Sequence, residues 1–441
     1  MESMFEGLQL KLPFIKALND ENYKNPTPIQ KECIPKALNG RDILGIAQTG
    51  TGKTAAFSIP ILQMLNASQP ANKKRDTRAL ILAPTRELAI QIGSSVRLYG
   101  KYIAFKHTLI YGGVGQKTQV ESLKRGVDLI IATPGRLLDL ISQGVCKLDK
   151  VEYFVLDEAD RMLDMGFIND VKKIVKVLPK QKQTLFFSAT MPLAVENLAS
   201  KLLNYPEHIS IEPSSTPVQK IKQLVSFVRA EDKRKYLKNL LKEIKFNSVI
   251  IFTRTKHGAN RLSTEIKSLN INSDALHGNK SQTARQRTLK DFKLGKINVL
   301  VATDIAARGI DIEGVSHIIN FELPNVPEDY IHRIGRTARA GASGTAISIC
   351  APNEQPFLES IEKLMGFSIK VSDGRPSTNR EEIYKKNKKT PPKKSININK
   401  THSKTSSDID AEEKRTPNNR RKSNKKKRKV FFKSTKFKAK K

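Results

Sequence analysis

The sequence predicts two α/β domains in tandem, each built on a parallel sheet, followed by a basic C-terminal tail. From Gly40 onward, short apolar runs alternate with longer amphipathic stretches, and the alternation restarts after a segment rich in Pro and Ser. Such alternation is typical of a parallel sheet covered by helices on both faces. The predicted boundaries are a first domain over 1–206, a linker over 207–219, a second domain over 220–370 and a disordered basic tail over 371–441.

Each domain contains six apolar runs of strand length. In the first domain the predicted strands are 43–47, 79–83, 108–111, 127–132, 153–156 and 184–187, and the helical patterns are 55–66, 86–99 and 191–203. In the second domain the predicted strands are 224–229, 248–252, 272–276, 299–302, 317–320 and 345–349, and the helical patterns are 233–243, 257–269 and 281–294. Two similar halves predict two domains with a cleft between them.

The charge of the chain indicates a polyanionic partner. Its 441 residues include 78 Lys and Arg against 43 Asp and Glu, a formal net charge of +35. Nucleic acid is the simplest partner for such a surplus, and a soluble, merely basic protein is the alternative. Segment 375–441 holds 25 basic and 6 acidic residues and few apolar ones, which predicts disorder. We expect this tail to add salt-sensitive affinity for nucleic acid, although its run 425–429 also has the composition of a nuclear localisation signal.

The remaining composition narrows the class of protein. Cys33, Cys146 and Cys350 are far apart and match no metal-ligand spacing, so a reducing compartment is expected. The acidic N-terminus lacks the apolar run of a signal peptide, and no stretch is apolar over the length of a bilayer span. We therefore expect a cytoplasmic protein without a membrane partner.

One apolar run, 153–156, ends in three carboxylates, those of Asp157, Glu158 and Asp160. Open α/β sheets bind ligands at strand ends, and crowded acids there repel one another unless a cation lies among them. Mg²⁺ suits this position because it takes one or two carboxylates together with substrate phosphates. The alternative is a solvated helix N-terminus, where the helix dipole favours acids.

The apolar run 43–46 leads into a glycine-rich loop followed by a helical pattern, which is the context of a phosphate-binding loop. Gly50 and Gly52 allow backbone N–H groups to turn towards phosphates. Lys53 is expected to neutralise the β- and γ-phosphates, and the Thr54 hydroxyl to bind Mg²⁺. Ala47 stands where the general pattern has its first glycine. The residues expected to contact the nucleotide here are Ala47, Gln48, Thr49, Gly50, Thr51, Gly52, Lys53 and Thr54.

The two segments complement each other. A phosphate-binding loop needs an acidic strand end to hold the metal, and Asp157 supplies it. Glu158 beside it is placed to orient and activate the attacking water. Lys53, Asp157 and Glu158 are therefore the expected catalytic residues of an enzyme that hydrolyses a nucleoside triphosphate with Mg²⁺.

With these segments, the chain over about residues 1–370 resembles the DEAD-box RNA helicases, whose name-giving motif is Asp157-Glu158-Ala159-Asp160. The resemblance implies two RecA-like domains, ATP as the nucleotide and RNA as the polymer. Segment 26–30 resembles the family's adenine-reading Q motif. The residues that this motif implies for adenine binding are Gln30 for hydrogen bonding, Tyr23 for stacking and Phe5 for support.

Further segments match the family's motifs in order. Segments 84–89, 112–113 and 133–136 follow predicted strands and suit phosphate binding, although each alone is equally an ordinary helix start. The resemblance implies that they grip the RNA backbone together with residues of the second domain. The implied RNA-binding residues are Pro84, Thr85, Arg86, Gly112, Gly113, Thr133, Pro134, Gly135, Arg136, Arg254, Gly278, Gln282, Arg285 and Thr303.

The second domain lacks a phosphate loop of its own, yet it carries Arg336 and Arg339 at a spacing that puts both on one side of a helical turn. Such a pair would complete the nucleotide site of the first domain as arginine fingers. The resemblance also implies that Asp311 contacts the ribose of ATP. The residues implied in coupling the nucleotide site to strand separation are Asp160, Ser188, Thr190 and His332.

The function implied by the resemblance is ATP-dependent, local and sequence-independent unwinding of RNA duplexes or remodelling of ribonucleoproteins, in ribosome assembly or RNA decay. The short N-terminus and the linker fit the bacterial RhlE-like subgroup best. We expect a monomer that meets ribosomal-precursor or RNA-decay proteins. The alternatives are an ATP-gated RNA clamp or scaffold with little unwinding, and a DNA helicase of the same superfamily. Intact Glu158, Arg336 and Arg339 argue against a pure clamp.

Overall fold

The computed structural model of the chain describes residues 5–48, 50–68, 75–211, 221–307, 312, 314–337 and 344–374. Within these residues the chain forms two sheets of seven strands each. The strands pair in parallel throughout both sheets. The predicted fold class, two parallel-sheet α/β domains in tandem, is confirmed.

The first sheet extends from Ile43 to Ser210. Its strands are β1 (Ile43–Ile46), β2 (Ala79–Leu82), β3 (His107–Ile110), β4 (Leu129–Ala132), β5 (Tyr153–Leu156), β6 (Gln183–Ser188) and β7 (Glu207–Ser210). Their order in the sheet is β3-β4-β2-β5-β6-β1-β7. Only β6 therefore separates the strand before the Lys53 loop from the strand before Asp157.

Helices cover both faces of the first sheet. They are α1 (Leu12–Asp20), α2 (Pro28–Leu38), α3 (Lys53–Ala67), α4 (Arg86–Tyr99), α5 (Lys117–Arg125), α6 (Pro134–Ser142), α7 (Ala159–Asp164), α8 (Ile168–Lys176) and α9 (Leu193–Leu202). Successive residues of a strand point to opposite faces. Ile81 of β2 accordingly packs in the core under α1 to α4, and Leu80 packs in the core under α6 to α9.

The second sheet repeats this architecture. Its strands are β8 (Ile221–Phe227), β9 (Val249–Phe252), β10 (Ser273–Leu276), β11 (Val299–Ala302), β12 (His317–Asn320), β13 (Gly344–Cys350) and β14 (Lys370–Asp373), in the order β10-β11-β9-β12-β13-β8-β14. The helices are α10 (Lys233–Glu243), α11 (Lys256–Lys267), α12 (Gln282–Lys293), α13 (Asp304–Ala307), α14 (Pro327–Ile334) and α15 (Gln355–Met365). Two apolar clusters again lie on opposite faces of the sheet.

The structure differs from the predicted boundaries at two edge strands. The predicted linker 207–219 is wrong over β7, because Glu207–Ser210 pairs with β1. The predicted disorder from 371 onward is wrong over the end of β14, which pairs with β8. Both strands lack a continuous apolar run, since an edge strand is covered less than a central one, and β14 is exposed along its length. Residues 375–441 lie outside the described part of the chain.

None of the helices in the described ranges is long and apolar enough to cross a membrane.

Candidate functional site

The carboxyl ends of the first sheet divide the predicted site into two halves. The Lys53 loop follows β1, Asp157 follows β5, and Ser188 ends β6, so these three segments leave the sheet from neighbouring strands. The segments that begin at Pro84, Gly112 and Thr133 follow β2, β3 and β4, which form the other half of the sheet. The sheet therefore gathers the predicted nucleotide residues on one side and the predicted RNA residues of this domain on the other.

The glycine-rich loop has the backbone that its sequence requires. Gly50 and Gly52 adopt φ values of 86° and 94°, a left-handed conformation that favours glycine. Lys53 begins α3, and its buried ammonium donates to the carbonyl of Ala47 at 2.8 Å. The Thr51 hydroxyl donates to the carbonyl of Gln48 at 2.8 Å. Thr49 lies outside the described residues.

Gln30 joins the predicted adenine-reading segment to this loop. Its side-chain Nε2 donates to the carbonyl of Gly52 at 3.2 Å, and its Oε1 accepts from the backbone N–H of Thr27 at 3.0 Å. A Cβ on Gly52 would lie 2.5 Å from the Gln30 amide nitrogen, so this approach requires glycine. An amide has a second N–H and further lone pairs, which leaves Gln30 able to contact a base.

The two aromatic residues of that segment occupy different surroundings. Phe5 is fully buried in the core beneath the first helices. Tyr23 is 39% exposed, and its ring lies 6.4 Å from the ring of Tyr99 in an edge-on arrangement. Tyr23 is therefore accessible to a planar ligand, whereas Phe5 can act only by supporting the fold around it.

Asp157 and Glu158 are both buried at the end of β5. Burial raises the pKa of the Asp157 carboxyl to about 7, with Lys53 opposing and Glu158 reinforcing the shift. Such a carboxylate is short of compensating positive charge, and a divalent cation would supply it. Carboxylate and hydroxyl oxygens are ligands that suit Mg²⁺, so Asp157 and the half-buried Thr54 form a donor set that could hold this ion.

No group of three or more His, Cys, Asp or Glu that could hold a metal occurs in the described ranges.

Asp160 connects β5 to β6. Its Oδ2 accepts from the backbone N–H and the hydroxyl of Thr190 at 2.9 Å and 3.0 Å, and from the N–H of Ala189 at 3.1 Å. Its own N–H donates to the Ser188 hydroxyl at 3.2 Å. The structure thus brings together three of the four predicted coupling residues. His332 lies on α14, with Nδ1 3.9 Å from Asp329 Oδ1.

Arg86 packs against the Gly112-Gly113 turn. A Cβ on Gly113, where φ is 77°, would lie 2.0 Å from Arg86 Nη1, whereas a Cβ on Gly112 would lie 3.5 Å from Nη2. Burial lowers the pKa of the Arg86 guanidinium, and the positive charges of Arg285 and Arg136 lower it further, against the opposing effect of Glu87. A cluster of arginines near one turn favours a polyanionic ligand.

The other predicted RNA-binding residues of the first domain lie at or near the N-termini of helices α4 and α6. Thr85 caps α4 by accepting from the N–H of Leu88 at 3.2 Å. Pro134 and Gly135 open α6 after Thr133. Arg136 donates to the carbonyl of Val114 at 3.3 Å, which holds it beside the Gly112-Gly113 turn. The predicted alternative of ordinary helix starts therefore describes the local structure, although it does not explain the clustered arginines.

Two predicted RNA-binding residues of the second domain contact the first domain instead of standing free. Arg285 donates through Nε to Glu87 Oε1 at 2.9 Å, and its Nη2 lies 2.8 Å from the same oxygen in an ion pair. Gln282 Nε2 donates to the same oxygen at 3.0 Å. All three side chains are buried. We call this contact between α4 and α12, made by Glu87, Gln282 and Arg285, the interdomain clasp.

The remaining second-domain residues lie at the carboxyl ends of its strands. Gly278 follows β10 and is exposed, and Thr303 follows β11 and is buried. Arg254 follows β9, donates to the carbonyl of Leu323 at 3.3 Å and lies 3.5 Å from Glu354. These positions correspond to the edge that carries the motifs in the first sheet.

Arg336 is buried just after α14. Arg339 and Asp311, predicted as its partner finger and as the ribose ligand, lie outside the described residues. Arg333 on the same helix was not among the predicted residues. It donates to Asp304 through two nitrogens at 2.6 Å and 2.7 Å and to Asn320 at 3.0 Å, so it ties α14 to the ends of β11 and β12.

Sequence reasoning also missed Glu87 and Arg161. Glu87 was indistinguishable from an acid that favours a helix N-terminus. Arg161 lies three residues after Glu158 and pairs with it at 2.7 Å. Spacing of i and i+3 on a helix is the one sequence signal that could have suggested that pair.

Family models match both domains. The DEAD/DEAH box helicase model matches residues 27–198, and the helicase conserved C-terminal domain model matches residues 232–341. The chain is 40% identical over 363 residues to the DEAD-box ATP-dependent RNA helicase CshA of Bacillus subtilis, covering 82% of this chain and 72% of CshA. It is 40% identical over 384 residues to the ATP-dependent RNA helicase DbpA of the same species, covering 87% and 78%.

Among solved structures, the chain is similar to S. cerevisiae Dbp5 bound to RNA and ADP BeF3. The TM-score is 0.74 at 34% sequence identity, and the match covers 88% of this chain and 99% of Dbp5 in that structure. The similarity includes both domains.

Proposed function

Because the chain belongs to the DEAD-box ATP-dependent RNA helicases, we propose that it couples ATP hydrolysis to local, sequence-independent separation of short RNA duplexes or remodelling of ribonucleoproteins. The observation that carries this proposal is the division of the first sheet's carboxyl edge into a nucleotide half and an arginine-rich half. The interdomain clasp supports it, since it joins the arginine-rich half to the second domain.

ATP binding is assigned to the loop after β1 and to the segment around Gln30. The backbone of Gly50 and Gly52, the ammonium of Lys53 and the amide of Gln30 bind phosphates and base, and Tyr23 stacks on the base. Support comes from the Gln30–Gly52 hydrogen bond, which fixes the distance between the two segments. Lys53 leaves the Ala47 carbonyl in exchange for a phosphate oxygen, a charge-assisted partner.

Mg²⁺ is assigned to Thr54 and Asp157, and when bound it neutralises charge on the phosphates. Glu158 accepts a hydrogen bond from the attacking water and orients it. Arg336 and Arg339 stabilise charge on the transferred phosphoryl group, a contribution worth on the order of 10³–10⁵ in rate for arginine fingers in related reactions. Asp311 holds the ribose.

RNA binding is assigned to the arginine-rich half of the first sheet and to the strand ends of the second. Contacts to phosphates position a nucleic acid without reading its sequence, so sequence preference is low. Support comes from the clustering of the arginines: burial lowers the pKa of the Arg86 guanidinium most, the charges of Arg285 and Arg136 lower it further, and Glu87 opposes the shift. Arg254, Gly278 and Thr303 extend this surface, and preference for RNA over DNA comes from 2′-hydroxyl contacts.

Coupling between the nucleotide site and RNA strand separation is assigned to Asp160, Ser188 and Thr190, and His332 joins them when ATP is bound. The hydrogen bonds of Asp160 support this assignment, because they tie the end of β5 to the end of β6. The basic segment 375–441 is assigned a role as an RNA-binding arm on the strength of its charge. We further propose that the protein is a cytoplasmic monomer that acts on ribosomal precursors or in RNA decay.

The test compares Glu158→Gln with the wild type. The variant is expected to bind ATP and RNA while RNA-stimulated hydrolysis is lost, because the amide cannot act as a base towards water. ATPase rates with matched RNA and DNA oligonucleotides, and displacement of a short labelled RNA strand, complete the test. Equal hydrolysis by variant and wild type would refute the role of Glu158, and equal stimulation by DNA would refute the preference for RNA.

A further inference from the structure

Glu158 has an unusual backbone for a residue with a side chain. Its φ and ψ are 53° and 54°, the left-handed region, immediately before α7 begins at Ala159. Its N–H donates to Asp157 Oδ1 at 3.0 Å, and its carbonyl accepts from the N–H of Met162 at 3.1 Å. The backbone therefore determines where the Glu158 side chain starts, but it does not determine which carboxylate oxygen faces the nucleotide.

Arg161 determines the orientation of that carboxylate. Its Nη1 donates to Glu158 Oε2 at 2.7 Å, and the two side chains are 3% and 5% exposed. A buried charge-assisted pair of this kind holds its geometry more firmly than a solvated pair. Among the described residues, no hydrogen bond reaches the other oxygen, Oε1.

The negative charges of the buried carboxylates at the end of β5 also require a cation nearby. Asp157 and Glu158 bring two buried carboxylates together, and the cations that act on Asp157 are Lys53 and Arg161. Arg161 supplies this cation to Glu158 directly, through the ion pair at 2.7 Å.

We propose that Arg161 is a positioning residue for ATP hydrolysis: it holds Glu158 by Oε2, so that Oε1 is the oxygen that accepts the hydrogen bond from the attacking water. This inference rests on the proposed role of Glu158. In this role Arg161 acts only through the carboxylate that it orients.

The experiment uses the full-length chain and measures RNA-stimulated ATP hydrolysis by Arg161→Gln, Arg161→Met and Arg161→Lys. We expect the Gln and Met variants to lose about 10- to 100-fold in kcat, the size of effect that a misplaced catalytic group produces. The KM for ATP and the affinity for RNA are expected to stay within roughly twofold, since the interaction is needed only during the chemical step. Arg161→Lys keeps the positive charge and is expected to recover most of the lost kcat.

Arg78→Gln is the matched control, because it also removes a buried guanidinium from an ion pair. Arg78 pairs with Glu152 at 2.7 Å at the opposite end of the first sheet, before β2. This control is expected to lower the melting temperature as much as Arg161→Gln does and to leave kcat per folded molecule unchanged. Arg161→Lys guards against misfolding of the Gln and Met variants, because removing one partner of a buried pair costs about 3–5 kcal/mol, whereas Lys keeps a cation beside Glu158.

An unchanged kcat in folded Arg161→Gln or Arg161→Met would overturn the inference. An increased kcat would overturn it too, because the ion pair would then hold Glu158 away from its catalytic position. A loss in kcat of equal size in Arg78→Gln would also overturn it, because the effect would then be one of stability. Failure of the proposed role of Glu158 gives a different result from failure of this inference. In that case Glu158→Gln would still hydrolyse ATP, regardless of the effect of the Arg161 variants.

Discussion

The interdomain clasp can be tested by exchanging its charges. Glu87 Oε1 accepts one hydrogen bond from Arg285 Nε and one from Gln282, it lies 2.8 Å from Arg285 Nη2 as well, and the charged side chains are 6% and 8% exposed. Removing one partner of such a pair costs about 2–5 kcal/mol, because the other charge stays buried without a partner. At about 1.4 kcal/mol per tenfold change, this corresponds to a loss of roughly thirty-fold to a few thousand-fold in the population with the domains in contact.

The variants are Glu87→Arg, Arg285→Glu and the double exchange. Each single variant places like charges together, with Arg86 and Arg136 adding to the repulsion in Glu87→Arg. The double exchange restores opposite charges and is expected to recover most of the loss. The assay is RNA affinity with a non-hydrolysable ATP analogue, read by anisotropy of a labelled RNA, together with energy transfer between dyes on the two domains. Glu196→Arg on α9, an exposed acid in the other half, is the control for the change in net charge.

The same assay separates the clasp from the predicted direct contact between Arg285 and RNA. If Arg285 acts mainly on RNA phosphate, Arg285→Glu weakens RNA binding without nucleotide as well, and Glu87→Arg does not rescue it. Wild-type behaviour of Glu87→Arg, or a double variant no better than the sum of the single losses, would refute the clasp as a determinant of domain contact.

Three further predictions concern other parts of the chain. Burial raises the pKa of the Asp157 carboxyl to about 7, so without Mg²⁺ and nucleotide the free energy of unfolding falls as pH rises from about 4 to about 7. The Asp157→Asn variant is expected to lack this fall. A difference in melting temperature between variant and wild type that is constant across pH 5–8 would contradict the prediction. Gly113→Ala would push a Cβ to 2.0 Å from Arg86, whereas Gly115 has no neighbour within 4 Å, so RNA affinity and stability (by about 1–3 kcal/mol) should fall in the first variant and not in Gly115→Ala. Deleting 375–441 removes 25 basic residues against 6 acidic ones, which should leave the RNA-independent ATPase rate intact and flatten the salt dependence of RNA affinity; an unchanged slope would exclude an RNA-binding arm.

Much of the fold could be predicted because central strands of parallel sheets are continuous apolar runs. β5, β11 and β12 coincide with their predicted ranges, and the other predicted strands agree within three residues at each end. The edge strands β7 and β14 could not be found in this way, because pairing with a neighbour stabilises them more than burial does. Glu207–Ser210 has a single buried residue, Ile209, and so has no periodic pattern to detect.

The candidate site was predictable where its chemistry depends on local sequence. Gly50, Gly52 and Lys53 are required together by the loop itself, and Asp157 and Glu158 are placed by the end of β5. Partners that are distant in sequence were not predictable. The Arg333–Asp304 pair spans 29 residues, and the Glu87–Arg285 pair spans 198. Nothing in either segment alone specifies the other.

The interdomain clasp gives a different role to two of the predicted RNA-binding residues. Gln282 and Arg285 resemble an RNA-binding segment, and a positive charge beside a predicted RNA path is readily assigned to RNA. In the structure Glu87 neutralises Arg285 where α4 begins, directly next to Arg86 in the chain. We therefore expect Arg86 and Arg136 to be the cations of this half that bind phosphate, and Arg285 to hold α12 of the second domain against α4. The contact between the domains on the arginine-rich half is then made by the Glu87–Arg285 pair, neither member of which is proposed to bind nucleotide. The proposed arginine fingers require the same contact on the nucleotide half. We therefore expect RNA binding and ATP hydrolysis to occur in the same domain arrangement, because the clasp and the proposed arginine fingers would each contribute separately to holding the domains together.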